Sequence, residues 1–348
     1  MKFTRSPWVG RGVAGAASSW RCATMWGMLS VDRDAVRSAL TWRELRRALG
    51  EVLAASRDEV AAPDRIAIPV SEDPDSEQTL LLMPSWAHGS LTGVKIVTHV
   101  PGNDGRGLPS IHAVFVATDG TTGEVRAVID GDELTVRRTA AISALAGASL
   151  IRRDAQRLLI VGTGQLAPVL AEAHLADVDF ASVTVWGRDR RRAEATARSI
   201  RTSTGALTPV GVGDDLRACV ADADVVVTAT GASDPLVRGA DVRPGTHVSL
   251  VGSYQPSMCE GDVELMQMAS VFVDTRAGAL LAGELARPVE AGVFDGSIVV
   301  GDLADLVTGR HPGRCDDDEI TVFKSAGFAL ADLAAARVVL DALDGPAG

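Results

Sequence analysis

Cysteine is scarce in this chain of 348 residues, and the four present (Cys22, Cys219, Cys259 and Cys315) lie far apart with no CxxC pair. That pattern excludes a disulfide-stapled secreted scaffold and fits a reducing cytoplasm. The six histidines show no HxxxH or HExxH spacing and join no cysteine cluster, so no metal centre is expected. They read as surface or hydrogen-bonded core residues. Ser85, Ser253 and Ser325 lack the strand-turn-helix context of a hydrolase nucleophile. No run approaches the ~18 apolar residues of a membrane-spanning helix. Positive charge is in deficit, with 34 Lys and Arg against 45 Asp and Glu for a net charge of −11, which disfavours nucleic acid as a partner.

What is present is globular: 46% hydrophobic and 23% charged residues exclude collagenous, coiled-coil and wholly disordered chains. At roughly 100 to 200 residues per domain the length points to two or three domains. Residues 1–28 differ from the rest, holding Lys2, Arg5, Arg11 and Arg21, no acid and three tryptophans. The small-residue run Val13 to Ser19 ends close to Arg21 and is a weak secretory signal, so this stretch reads as a disordered extension, or as the product of a start codon upstream of Met25 or Met28.

From Leu29 onward the pattern is ordered. Ser30 to Ser56 carries helical spacing (Val36, Leu40, Leu45, Leu49, Val52, Leu53), followed by the Pro-bounded segment Pro63 to Pro69. Strand-like runs at Thr79 to Met83, Leu91 to Val100, Ala113 to Thr118 and Glu124 to Ile129 follow, the last two flanking the turn Asp119 to Gly123, and predict a mostly antiparallel sheet. Leu134 to Leu150 reads as an Ala-rich helix with Thr135 at its N-cap, bridging to a second domain.

The second domain opens with the apolar strand Leu158 to Val161, which runs into Gly162-Thr163-Gly164-Gln165-Leu166-Ala167 and a helix through Ala176. This is the GxGxxA dinucleotide fingerprint. The first glycine allows a tight turn, the second lets backbone approach a pyrophosphate, and the small third residue lets helix pack on strand. Alone the motif would also describe glycines serving only a turn. Further strand candidates at Ser182 to Trp186, Asp224 to Thr230, His247 to Val251 and Val271 to Asp274 supply the α/β context. Past the second strand stand Arg188, Asp189 and Arg190 to Arg192. Arginine there accommodates a 2′-phosphate and an acid binds a 2′-hydroxyl, so Arg188 favours NADPH while Asp189 keeps NADH open, and the following arginines also suit a solvated helix start.

The ordered motifs Met83-Pro84, Gly93-Val94-Lys95, Pro101-Gly102-Asn103, Asp130-Gly131, Leu134-Thr135-Val136-Arg137-Arg138-Thr139-Ala140-Ala141, GTGQLA, Thr228-Ala229-Thr230, Val251-Gly252 and Phe323-Lys324-Ser325-Ala326-Gly327 resemble the ornithine cyclodeaminase and μ-crystallin family. The resemblance runs from about Leu29 to the C-terminus. It implies substrate-binding roles for Arg65, Lys95, Arg137 and Ser325, and cofactor contacts at Thr139, Gly162, Gly164, Gln165, Leu166, Arg188, Thr230, Gly252 and Gly327. Lys95 is the implied proton handler, since an ammonium beside a C=N group can protonate it. Read from its own strand, Lys95 faces either solvent or a cavity. Arg137 and Arg138 are read at a helix start, where positive charge opposes the dipole unless an anion compensates.

One position departs from the family pattern. Cyclodeaminases of the family carry an aspartate where this chain has Tyr254, its only tyrosine. Loss of that base argues against cyclodeamination, and the Gly-Ser-Tyr-x-Pro form is similar to imine or ketimine reductases. Tyr254 reads equally as a weak acid in the pocket or as a packed loop aromatic.

The expected fold is α/β: a Rossmann domain over 146–319, and an α+β substrate and dimerisation domain from 29–145 and 320–348, completed by the helix Phe328 to Leu343. The expected activity is NAD(P)H-dependent reduction of a cyclic imino acid by a cytoplasmic homodimer. The rivals are ornithine cyclodeamination or amino acid dehydrogenation, and a non-catalytic NADPH-binding protein of the μ-crystallin sort.

Overall fold

The computed structural model describes residues 22–25, 28–70, 78–205 and 208–345. Of the N-terminal stretch read as disordered, 1–21 and 26–27 lie outside the described residues, whereas Cys22–Met25 is placed as a strand. The chain forms two compact units. One runs to Arg138 and resumes at Phe328, and the other is Thr139–Gly327.

The first unit is built on a sheet in which β1 (Cys22–Met25) pairs antiparallel with β2 (Met28–Val31). The helical spacing expected over Ser30 to Ser56 resolves into two helices, α1 (Arg33–Ala39) and α2 (Trp42–Ala54). The break has a local cause: Asp32 and Thr41 each accept a hydrogen bond from the first turn of the helix that follows. Then come β3 (Val60–Ala61), β4 (Ile66–Pro69), β5 (Thr79–Ala87), β6 (Leu91–His99), β7 (Ile111–Asp119) and β8 (Val125–Asp130). The order is β1-β2-β8-β7-β6-β5-β3 with β4 also on β5, and every pairing is antiparallel except β2 with β8. Alternation along β6 buries Leu91, Gly93, Lys95 and Val97 on one face. The C-terminal helix Ala329–Asp344 lies across β5, β6 and β7.

Helix α3 (Gly131–Leu150) starts earlier than the sequence predicts. Its cap is Asp130, whose carboxylate accepts from Glu133 N at 2.8 Å. Thr135 lies inside the helix with its hydroxyl buried and unpartnered among the described residues. Gly131 makes the early start possible, because a Cβ there would stand 2.6 Å from the Ala113 backbone. Arg137 and Arg138 are therefore the seventh and eighth residues of the helix, beyond the first turn where the dipole field is felt, and the anion inferred from their place at a helix start loses its basis.

The second unit is an eight-stranded, all-parallel sheet of β9 (Arg157–Val161), β10 (Ser182–Trp186), β11 (Val210–Val212), β12 (Val225–Thr228), β13 (His247–Leu250), β14 (Ser270–Val273), β15 (Val299–Asp302) and β16 (Thr321–Lys324). Their order is β11-β10-β9-β12-β13-β16-β14-β15. β12, β13 and β16 are buried at every position, as the layered α/β class requires. The strand order reverses between β9 and β12, and a crevice at the carboxyl ends of such a pair is where this architecture binds ligands.

Two histidines are locked into this unit's core. His174 is 1% exposed, its Nε2 is 3.0 Å from Ser143 Oγ, and that hydroxyl lies 2.8 Å from Ser249 Oγ. Burial lowers its pKa from 6.5 to about 4. His247, bonded to Thr321 Oγ1, is also held well below its ordinary value by burial. Below pH 6.5 the unfolded chain takes up a proton that folded His174 refuses until about pH 4, so stability falls as pH falls through that window. His174 alone accounts for about 3 kcal/mol of that loss. Thermal midpoints measured between these limits should drop in the wild type and fall less steeply in His174→Gln.

Candidate functional site

The glycine-rich turn occupies the strand-order reversal. Gly162 adopts φ 134°, and a Cβ there would meet Ala229 O at 2.4 Å, so only glycine fits. Around Gly164 there is open space, the room a backbone approach to a ligand needs. Helix α4 (Leu166–Leu175) follows, and Gln165 at its N-cap contributes no side-chain hydrogen bond. Pro168 has no N–H and Ala167 N donates to Gly164 O at 3.2 Å, which leaves the Gln165 and Leu166 amides at the helix start to meet an anion such as a pyrophosphate. Ala167 is fully buried, as close packing on β9 demands.

Beyond β10, Asp189 accepts from Arg191 N at 2.8 Å and Arg192 N at 3.2 Å, capping α5 (Arg190–Thr204). Arg190 is paired with Glu194 and Asp214. Arg188 is exposed and makes no hydrogen bond or ion pair among the described residues. Asp189 is thus engaged in holding its own helix, while Arg188 is not.

Buried carboxylates fix the loops that follow the strands. Glu260 Oε1 accepts from Thr230 N (2.7 Å) and Thr230 Oγ1 (2.8 Å), and its Oε2 accepts from Gly252 N (2.7 Å). One side chain therefore staples the loops after β12 and β13. Burial pushes its pKa up, against the opposing pull of Lys324 and its hydrogen bonds. Glu284 accepts from Ser253 Oγ and from Glu260 N, and Lys324 Nζ donates to Ser253 Oγ and to Leu250 O. Asp274 Oδ2 accepts from Ser325 Oγ, Ala326 N and Gly327 N at 2.6–2.9 Å, pinning the segment after β16. Tyr254 is half-buried in the loop beside Ser253.

The first unit holds a second polar centre. Lys95 is 1% exposed between Met83 and Phe115, its cross-strand neighbours. Its ammonium donates to Asp332 Oδ1 at 2.8 Å, and the same oxygen accepts from Arg138 Nε at 2.8 Å. Of the two faces open to Lys95, the structure gives it the buried one. Burial lowers its pKa to about 8, Arg138 and Arg65 push the same way, and Asp332 opposes them. Arg137 turns elsewhere: its Nε donates to Leu40 O at 3.0 Å and its guanidinium lies 4.3 Å from the Trp42 ring centre.

Within the first unit the structure brings together Lys95 and Arg138, with Arg65 near enough to act on Lys95, while Arg137 engages a different set of partners. Within the second it places Gly162, Gly164, Gln165 and Leu166 at one turn, joins Thr230 to Gly252 through Glu260, and joins Ser325 to Gly327 through Asp274. Thr139 lies half-buried on α3. Asp332, Glu284 and Asp274 were not singled out from sequence. The available signal for Asp332 was an acid set in the apolar run Ala329 to Ala336.

An all-parallel sheet with a glycine turn at its reversal, in one chain with an α+β unit burying a lysine and an arginine on one carboxylate, defines a two-unit protein of the Rossmann type. The chain belongs to the ornithine cyclodeaminase/mu-crystallin family, whose model matches residues 30–346. A Delta(1)-pyrroline-2-carboxylate reductase of Paracoccus denitrificans (strain Pd 1222) is 38% identical over 269 residues, covering 77% of this chain and 84% of the relative. The structure of Thermococcus litoralis Delta(1)-pyrroline-2-carboxylate reductase in complex with NADH and L-proline matches with a TM-score of 0.86 at 28% identity, covering 91% of this chain and 98% of that one. An archaeal alanine dehydrogenase dimer with bound NAD matches with a TM-score of 0.83 at 27% identity, covering 91% and 96%. The family and the fold class expected from sequence are both borne out.

Glu260→Gln should test the loop staple. An amide cannot accept at both ends, so one backbone N–H would face a donor, at a cost of about 1–3 kcal/mol. Urea unfolding should show this loss, and titration with a nicotinamide dinucleotide should show weakened binding.

Proposed function

We propose that the chain reduces the C=N bond of a cyclic imino acid, of which Δ1-pyrroline-2-carboxylate is the leading case, using a nicotinamide dinucleotide. The observation that carries this reading is Lys95: a lysine buried in an apolar sheet face with its pKa drawn down to about 8 is an acid poised near neutral pH. Two buried cations on one carboxylate also leave positive charge that an anionic substrate would balance. The resemblance to reductases named for pyrroline-2-carboxylate supports the substrate class.

The residues at the glycine turn fit a dinucleotide, with Gly164 and the Gln165 and Leu166 amides at the start of α4 for its pyrophosphate. Bound there, it supplies the hydride. Thr139, Gln165, Leu166, Thr230, Gly252 and Gly327 are assigned to its cradle. Arg188, exposed and unengaged beside an Asp189 occupied at a helix cap, favours NADPH over NADH. We assign Arg65 to the substrate carboxylate, with Arg138 adding its charge and Ser325 a polar contact; Arg137, also assigned there, has to leave Leu40 O and the Trp42 ring to reach it. Lys95 gives its proton to the imine nitrogen. Tyr254, where the family's cyclodeaminases have an acid, leaves no base at that position and turns the reading toward reduction.

A homodimer is the assembly we favour. The sheet face opposite the helices presents Leu82, Pro84, Val94, Ile96, Val114, Val116 and Val128, all half-exposed and contiguous by register. An apolar face of that extent suits a subunit interface. Cys219, Cys259 and Cys315 are free; no helix among the described residues is long and apolar enough to cross a membrane. Sedimentation should return the mass of two chains, and a monomer at micromolar concentration would overturn the dimer.

The decisive assay follows NADPH oxidation by absorbance with Δ1-pyrroline-2-carboxylate, with ornithine run in parallel for ammonia release. Turnover of the imine without ammonia from ornithine is expected. Lys95→Ala should lower kcat by about 10²–10⁴-fold. Arg188→Ala should raise the KM for NADPH about tenfold, the worth of one charged hydrogen bond, and leave that for NADH near its wild-type value. Ammonia from ornithine with no imine turnover would overturn the reading.

A further inference from the structure

Asp332 is fully buried in the first turn of the C-terminal helix. Its Oδ1 takes both Lys95 Nζ and Arg138 Nε at 2.8 Å, and its Oδ2 is buried without a partner among the described residues. An unpaired buried carboxylate oxygen is costly, and a fold stabilised only for its own sake would spread two cations over two oxygens. The groups that act on Lys95 are Arg138 from α3, Asp332 from the C-terminal helix and Arg65 from the segment ahead of β4. From the flanking strands β5 and β7 the cross-strand neighbours are the non-titrating Met83 and Phe115. Asp332 is thus the carboxylate set against the two arginines that disfavour a charged lysine.

We propose that Asp332 is a positioning residue for the reduction: by tying the Lys95 ammonium to Arg138 through a single oxygen it holds Lys95 in its charged, proton-giving form. This rests on the reading of Lys95 as the proton donor. In the step concerned, an N–H bond of Lys95 breaks as one forms on the imine nitrogen, and the α-carbon takes the hydride pair. The C=N bond is reduced, the dinucleotide is oxidised, and the neutral Lys95 amine recovers a proton from water. Without Asp332, Arg138 and Arg65 act on Lys95 unopposed. Lys95 then gives up its proton at lower pH and no longer serves as donor in the alkaline range.

The test is the pH profile of kcat/KM for Δ1-pyrroline-2-carboxylate with NADPH, in wild type, Asp332→Asn, Asp332→Glu and Arg138→Gln. Asp332→Asn should move the alkaline limb acid-ward by about one pH unit or more, a loss of roughly tenfold at the alkaline end with far less at the acidic end. Arg138→Gln should move that limb in the opposite direction, and Asp332→Glu should restore the wild-type position at reduced kcat. A merely structural Asp332 would lower kcat/KM equally at every pH, and limbs that stay in place in Asp332→Asn and Arg138→Gln would overturn the proposal. If Asp332→Asn does not fold, the direction of the Arg138→Gln limb decides it. A wild type that binds NADPH yet reduces no imine would overturn the functional reading and this proposal together. An active wild type with unmoved limbs would overturn this proposal alone.

Discussion

The first unit depends on one electrostatic constraint: a lysine cation placed on the buried face of a β-sheet. β6 puts Lys95 in line with Leu91, Gly93 and Val97, and the apolar Met83 and Phe115 flank it. Such a charge is tolerated only if a counter-charge reaches it away from water. The counter-charge comes from the far end of the chain, where Asp332 begins the C-terminal helix that lies across β5, β6 and β7. This explains why the last helix belongs with the first sheet. Its apolar residues cover the sheet, and its single buried acid in that turn completes the charge balance.

The second unit solves a related problem with the same chemical device. A parallel sheet ends in loops whose backbone amides must find acceptors. Here the acceptors are carboxylates driven into the core: Glu260 for the loops after β12 and β13, Asp274 for the segment after β16, and Glu284 for Ser253 and Glu260 N. A carboxylate takes several donors at once, so each one fixes a loop that hydrophobic packing alone would leave loosely defined. At Gly162, beside Ala229, and at Gly252, beside Thr230, glycine is required because another backbone comes close.

Much of this was legible in the sequence, and what was not has a consistent physical origin. Many strands buried on one or both faces are marked by alternation or by apolar runs, so Ser182–Trp186 is found as expected and the others named from sequence shift by one to four residues at their ends, whereas β11, β15 and the fully buried β16 are not named from sequence. The glycine turn was legible because a local backbone requirement is written in adjacent residues. Helix starts were less so: Thr135 looked like a cap, yet Asp130 serves, because the choice depends on how Gly131 passes the Ala113 backbone. The partners of Lys95 were illegible for a stronger reason. They lie 43 and 237 residues away in sequence, and nothing periodic links an acid in an Ala-rich helix to a lysine in a Val-rich strand.

The charge state of Lys95 bears on the direction of the chemistry. A reaction that must direct a second amine onto an imine needs a base, which has to lose its proton at working pH. A reaction that protonates an imine nitrogen needs a group that keeps its proton until the moment of transfer. The surroundings of Lys95 are graded between these demands. Burial, Arg138 and Arg65 draw its pKa down to about 8, and Asp332 stops it from falling further. The result is a lysine still largely charged at neutral pH yet far more willing to release its proton than one in water. On the proposed reading, a lysine in this state suits giving a proton to an imine nitrogen, the direction that reduction requires.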